Sequence, residues 1–490
     1  MKKAMVLAVS VLLTLLGGVG YAVAQITPKE DQVEITETVR YGDPTQAYGL
    51  TAGISTTLDY HLFWDTNHTF GEVSRTQTDV WFDPDGQIRN WPREQYLNLR
   101  DSVSGSMSAH GKWTDLDEAE KGSLSGLELA YYELAQKTAA GEENESQIRL
   151  EDYYKYYPIE IELMVENIYY NDWDFERAME QETYREERDR EIRTLYERVT
   201  DFFKIPVLPE EYIKIHLRKN EDGNISSWGY SSGGEGERYS LYTHSCVAED
   251  AVYFSIHNRS RNGEIMDTQL IPGGYGLYCL PFVTGDEEKE TLAVLCPERL
   301  EMVYALPEEE QVFWLRMSED QQRLILVTGD EETVTIRVIR REDLATMQVL
   351  TYPGDREEME GCNIFWEEDH LMLLCQGELT LFEVEADGTF ELKFSVESDP
   401  TGELELPLWA GNAVTDWNGE KLAVLMKENI VYGRPDTVYC GADLAVYDHS
   451  GLLYCGKLGS SLDTEPGREY NSLEMVTLID YLPLTIAWNE

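Results

Sequence analysis

Gln311-Val312-Phe313-Trp314-Leu315-Arg316-Met317 runs into Ser318-Glu319-Asp320, then into Leu324-Ile325-Leu326-Val327 and on to Val334-Thr335-Ile336-Arg337-Val338. An apolar-aromatic run, a polar turn, a second apolar run and an alternating run are what successive antiparallel strands with tight connections look like, because strand side chains point to alternate faces. The beat returns with Phe365-Trp366, Leu371-Met372-Leu373-Leu374 and Leu379-Thr380-Leu381-Phe382-Glu383-Val384. It returns again with Leu422-Ala423-Val424-Leu425-Met426 and Asp443-Leu444-Ala445-Val446-Tyr447, between which residues are inserted. Units begin near Gln311, Gly361 and Gly411, steps of 50 residues, and a longer unit with insertions spans about Leu241 to Leu306.

A radial repeat of this length predicts an all-β fold, a β-propeller of six or seven four-stranded blades. The tail, Met475–Ile479 and Leu484–Trp488, is two strands short of a unit. It is expected to complete an incomplete unit at residues 50–90, because joining the chain ends removes the exposed edges of an open ring. The stretch from Leu315 to Val327 resembles the strand–turn–strand segment of TolB/WD40-like propeller repeats, with Glu319 and Gln321 where those repeats often carry Pro and Gly. The resemblance implies architecture and no functional residue.

Around that repeat the chain divides into four parts. Lys2 and Lys3 precede an apolar stretch, Ala4 to Ala24, ending in Ala22-Val23-Ala24. This reads either as a signal peptide cleaved after Ala24 or as a single transmembrane anchor; either places the rest outside the cytoplasm. Residues 25–45 read as a tether or lead-in, closed by the Gly42-Asp43-Pro44 turn, and residues 46–490 as the propeller. A helical insertion is placed at about 126–204. It comprises a short helix near Leu127–Lys137, an alternating strand ending near Val165, and a helix from about 174 to 203 with Ile192, Leu195, Tyr196, Val199, Phe202 and Phe203 on one face. Residues 90–125 read as a Gly/Ser-rich connection without periodicity.

Charge excludes more than it suggests. With 92 Asp and Glu against 40 Lys and Arg, a net of −52, the surface repels phosphate backbones and anionic headgroups. Nucleic acid is therefore excluded as a partner, and membrane contact is expected only through the N-terminal segment. The seven cysteines all follow position 245, and Cys279/Cys296, Cys362/Cys375 and Cys440/Cys455 are spaced as hairpin partners. Each pair is either a cross-strand disulfide of an exported protein or buried thiols, the second reading being favoured because Cys279, Cys375 and Cys455 lie in apolar runs.

Apparent catalytic motifs dissolve into turns and strands. Gly229-Tyr230-Ser231-Ser232-Gly233 fits the nucleophile-elbow pattern, but no helix follows the Ser. Gly451 to Leu458 nearly spells a P-loop, with Leu458 where Mg²⁺ needs Ser or Thr. Asp83-Pro84-Asp85-Gly86 and Asp416-Trp417-Asn418-Gly419-Glu420 have the flavour of calcium loops without the full ligand series. No catalytic, cofactor-binding or metal-ligating residue and no cofactor is therefore singled out. With 30 Tyr and 11 Trp, the aromatics read first as packing between strands and second as a contact surface for sugar or protein. The expected function is a membrane-tethered or secreted, non-catalytic binding or scaffolding module with a protein or carbohydrate partner. The alternatives are an exported carboxylate-dependent, glycan-directed hydrolase or lyase, and a carbohydrate-binding module with exposed coplanar Trp or Tyr.

Overall fold

A computed structural model describes residues 33–58, 62–82, 96–101, 126–157, 159–165, 168–169, 194–207, 211–231, 240–259, 274–283, 294–354, 362–404, 413–427, 442–461 and 484–489, with a few single positions between them. Among these the chain is mostly β. Its 28 strands, numbered β1 to β28 along the sequence, form seven antiparallel sheets, three of them four-stranded meanders or their equivalent. The chain divides into two compact units, Met1–Pro92 with Glu360–Glu490, and Arg93–Met359.

The first unit holds three sheets. One is the meander β20 (Asn363–Trp366), β21 (His370–Cys375), β22 (Glu378–Val384) and β23 (Phe390–Glu397). The second is β24 (Ala413–Trp417), β25 (Leu422–Lys427), β26 (Ala442–Asp448) and β27 (Gly451–Ser460), with β1 (Ile35–Gly42) as a fifth strand on β27. The third is β28 (Leu484–Trp488), β2 (Leu50–Leu58), β3 (Leu62–Thr69) and β4 (Arg75–Phe82). The β24–β27 sheet is covered on both faces. Trp417, Val424, Met426 and Tyr447 pack with Phe365, Met372, Leu381 and Phe394, while Ala423, Leu425, Leu444 and Val446 pack with Leu50, Ala52, Ile54 and Phe70. Burial on two sides explains why Leu422–Met426 of β25 and Leu444–Tyr447 of β26 are apolar throughout and do not alternate.

Both chain ends close sheets in this unit. β28 pairs with β2 from Leu50↔Trp488 to Ile54↔Leu484, the seam expected from the incomplete tail; the Met475–Ile479 strand lies outside the described residues. The N-terminal end corrects the tether reading. From Ile35 the segment is a strand, in register with β27 from Ile35↔Ser460 to Gly42↔Tyr454. Arg40 pins it, donating to Asp443 Oδ1 at 3.2 Å and to the Leu404 carbonyl. Gly42 is required there, since its φ is +72° and a side-chain carbon would collide with the Leu453 carbonyl.

The second unit holds the remaining sheets. Its meander is β16 (Gln311–Met317), β17 (Arg323–Gly329), β18 (Thr333–Arg340) and β19 (Thr346–Pro353). Next come β11 (Ser240–Val247), β12 (Ala251–Arg259) and β13 (Gly276–Val283), the last pairing with β14 (Val294–Leu295) and β15 (Glu301–Ala305). Cys246, Tyr253 and Leu277 on one face of this sheet pack with Val312, Leu315 and Leu326. On its other face Val252, Phe254, Tyr278 and Leu280 meet a layer built from helix α1 (Gly126–Lys137) and a helix covering 194–203.

That layer also contains sheet. Region 126–204 contributes β6 (Glu143–Arg149), which pairs with β9 (Tyr212–Lys219) beside β10 (Ile225–Ser231), and β7 (Ile159–Val165) with β8 (Ile168–Tyr169). The stretch read as an aperiodic connection contains β5 (Tyr96–Asp101), paired with β7. On its other side β5 borrows side chains, its Leu97 and Leu99 amides donating to Ser245 Oγ at 2.8 Å and Thr243 Oγ1 at 3.1 Å. Residues 1–24, Asp83–Gly86 and the charged middle of the expected 174–203 helix lie outside the described residues. Among the described residues no helix is long and apolar enough to cross a membrane.

Of the cysteine pairs, Cys362 and Cys375 form a disulfide that extends the β20–β21 ladder, with 4.4 Å between Cα atoms. Cys279 and Cys455 are buried thiols, and burial pushes their pKa values up to about 11 and about 12. The 279/296 bridge is thus not formed, and Cys440 lies outside the described residues. The preference for thiols fails at 362/375, because the two positions face each other one step beyond Asn363↔Leu374.

Candidate functional site

The residues with the chemistry for catalysis are placed between strands, where they hold sheets together. His370, at the start of β21 and 1 % exposed, shares hydrogen bonds with Asp369 Oδ1 at 2.6 Å and Thr415 Oγ1 on β24 at 2.8 Å. His68 on β3 likewise bridges Thr76 Oγ1 on β4 and Glu37 Oε1 on β1, both at 2.9 Å. In the second unit Arg337 clamps Glu310 with two bonds of 2.6 Å, and the Thr328 hydroxyl donates to the same carboxylate at 2.6 Å. Each imidazole nitrogen and carboxylate in these networks already has a partner, which is how a buried polar group avoids its desolvation penalty. Burial, reinforced by Arg316, pushes the His244 pKa down to about 4, a weak base at neutral pH.

Two carboxylates near His370 differ from the ordinary. Partial desolvation beside the sheet raises the Glu367 pKa although the residue is exposed, with His370 opposing and Asp369 and Asp416 adding to the rise. Burial also raises that of Asp416, against the pull of the Trp488 amide, which donates to its Oδ2 at 2.6 Å.

The apparent motifs fall where turn and strand chemistry put them. Gly229 to Ser231 lie in β10, paired with β9, while Ser232 and Gly233 lie outside the described residues. The P-loop-like Gly451–Leu458 is strand β27, paired on both sides. At Asp416–Glu420, Asn418 Oδ1 accepts from the Glu420 and Lys421 amides at 3.0 and 2.8 Å while Gly419 adopts φ +90°, a turn with no cation in its logic. Glu383, Glu385 and Glu391 bring carboxylate oxygens within 4.8 Å of one another, but Lys393 already sits among them, 2.7 Å from Glu391 Oε2 and in contact with Glu383. An open depression of about 330 Å³ is lined by Gln376–Glu378 and Ser395–Asp399. Its Asp399 is committed to the Thr401, Gly402 and Leu404 amides, and the Ser395 hydroxyl to Glu378 Oε1 at 2.5 Å.

The open face of the β28-β2-β3-β4 sheet is different. Strand alternation places Ser55, Asp65, Asn67, Gln77, Asp79 and Trp81 on the face opposite the core side that carries Ile54, Thr66 and His68. Trp81 is 45 % exposed and held flat, stacked on Phe63 with centroids 4.0 Å apart and planes at 7°. Its Nε1 donates to Asp65 Oδ2 at 2.6 Å, and Ser55 Oγ donates to Asp65 Oδ1 at 2.7 Å. Asp79 stands directly opposite Asp65 on the neighbouring strand. The sequence places an incomplete repeat unit at residues 50–90 but not this surface; the signal, Asp65 and Asp79 in phase with Trp81, becomes visible only once the register is fixed. Several large aromatics went to the core, with Tyr131, Tyr278, Tyr447 and Tyr454 fully buried. Trp81 and its buried neighbour Phe63 thus present one open ring, where the carbohydrate-module alternative requires two.

No protein-family model matches the chain, and no curated protein matches it by sequence. Among solved structures it is similar to a 6-phosphogluconolactonase candidate from Bacteroides fragilis, at 12 % identity over 53 % of this chain and 68 % of that one, with a TM-score of 0.26. A second such candidate, from Bacteroides uniformis, shows 12 % identity over 57 % and 82 %, with a TM-score of 0.24. A protein from Lactobacillus plantarum shows 12 % identity over 53 % and 84 %, with a TM-score of 0.22. TM-scores this low carry no inference about this chain.

Proposed function

We propose that the chain is an extracytoplasmic, non-catalytic binding or scaffolding protein whose sheets are the blades of a six- or seven-bladed propeller. Residues 1–24 direct it out of the cytoplasm, as a cleaved signal or as its membrane anchor, and the partner is a protein or a carbohydrate. What supports the binding reading above all is the contrast between His370, His68 and Arg337, saturated between strands, and the open polar face carrying Trp81. Groups locked in the core are poorly placed for turnover, whereas a rigid exposed indole amid hydrogen-bonding side chains suits recognition. The test is a panel of chromogenic glycosides and esters incubated with the full chain, together with fractionation of the producing cells. No turnover, and protein recovered outside the cytoplasm, are expected. A cytoplasmic chain would overturn the location, and turnover would overturn the non-catalytic claim.

The hydrolase reading has one observation of its own, the raised pKa of Glu367 beside the raised Asp416, since a carboxyl with a raised pKa is the kind of group general-acid chemistry draws on. Turnover on the glycoside panel that Glu367→Gln abolishes would establish it.

A further inference from the structure

Strand β4 is the outer strand of the β28-β2-β3-β4 sheet. Among the described residues β4 pairs with β3 on one side and with nothing on the other, leaving a row of main-chain donors and acceptors. The same unit shows how such an edge is filled, because β27, the outermost strand of its own four-strand run, takes β1 as an antiparallel fifth strand. The outer edges of two other meanders are guarded: β23 carries Lys393 within its glutamate cluster, and β19 ends in Pro353. On β4 the middle of the strand, Gln77-Thr78-Asp79-Val80-Trp81, contains neither Lys nor Pro.

The open face beside that edge selects for charge. Asp65 and Asp79 are direct cross-strand neighbours, an arrangement that destabilises a sheet unless a cation intervenes. The exposed Trp81 ring next to them is oriented by its stack on Phe63 and its bond to Asp65, and an indole face attracts an ammonium or guanidinium group. The chain's net charge of −52 draws basic partners towards it from a distance.

We infer that the β4 edge binds an extended segment of a partner protein with Lys or Arg at alternate positions, added antiparallel as a fifth strand. Main-chain hydrogen bonds to β4 give the segment its register, while one cationic side chain lies over Trp81 and the next meets Asp79 and Asp65. The inference rests on the binding-module reading and names the partner class for it.

The test uses a fluorescein-labelled peptide of alternating Arg and Thr, titrated with the full chain and read by fluorescence anisotropy at low and physiological salt. Binding is expected, weakened by salt and at least tenfold by Trp81→Ala and by Asp79→Asn, with Glu391→Gln unchanged. Methylating the peptide's alternate main-chain nitrogens abolishes it, as does replacing Arg by Glu. Asp79→Asn preserves the shape of the strand, so the inference stays testable if Trp81→Ala fails to fold. No binding by the Arg–Thr peptide, equal affinity in both variants, or full affinity of the methylated peptide overturns the inference. Binding of cellohexaose that needs Trp81 and not Asp79 also overturns it, making the face a glycan platform while the binding-module reading stands. Turnover on the glycoside panel, by contrast, sinks that reading and leaves the peptide result to be judged by itself.

Discussion

Thr415 shows what the buried polar residues are for. It is buried, and its hydroxyl shares a hydrogen bond with His370 Nε2 across two sheets. Thr415→Val strands that nitrogen, so it should lower unfolding free energy by about 1–3 kcal/mol in chemical denaturation. A change within error would mean that the bridge contributes nothing. Glu367 supplies the pH dependence at this scale. Partial desolvation raises its folded pKa above the unfolded value, so its contribution to stability is complete below about pH 4 and lost as pH rises through the folded pKa. Glu367→Gln should therefore match the wild type in acid and be the more stable of the two at pH 7, and the reverse order would contradict the assignment. Asp330 works in the opposite sense. The Glu332 amide and the Thr333 hydroxyl hold its pKa down, so its contribution is lost as pH falls. None of these roles is legible in sequence: nothing local distinguishes His370 from the chain's seven other histidines, because its partner Thr415 lies 45 residues away.

At the scale of elements, the Cys362–Cys375 bridge fastens the β20–β21 hairpin, closing a separation of 13 residues. Loop-closure entropy puts its contribution at roughly 2–4 kcal/mol. Peptide mapping after alkylation without reductant should recover Cys362 and Cys375 linked and Cys279 alkylated, and Cys375→Ser should lower the denaturation midpoint. An alkylated Cys375 in the untreated protein would contradict the bridge. The strands easiest to foresee were those with both faces buried or with clean alternation, such as β17, β21, β25 and β26, where apolar pattern and structure coincide. Three escaped for different physical reasons. β6, Glu-Asn-Glu-Ser-Gln-Ile-Arg, is built from residues depleted in strands and is held by its pairing with β9. β5 alternates but sits among turn-forming neighbours, and its second edge is satisfied by Ser245 and Thr243 side chains. β1 finds its partner more than 400 residues downstream, beyond any local window. The Trp81 face was hidden likewise, because which side of a strand meets solvent is decided by what packs on the other.

At the scale of the molecule, the 50-residue repeat was readable and became the sheets at 311–353, 363–397 and 413–460, whereas β5 and β6, within residues 96–149, carried no readable strand signal. The repeat also predicted that the tail would complete the first sheet, and there the central claim can be tested most directly. Hydrogen exchange should be compared by mass spectrometry between the full chain and a chain ending at residue 483, which lacks β28. Amides of 50–54 should lose protection in the shorter chain, because β28 pairs with β2 at those positions, while β16–β19 keep theirs. Unchanged protection across 50–54 would contradict closure of the first sheet by the chain's end.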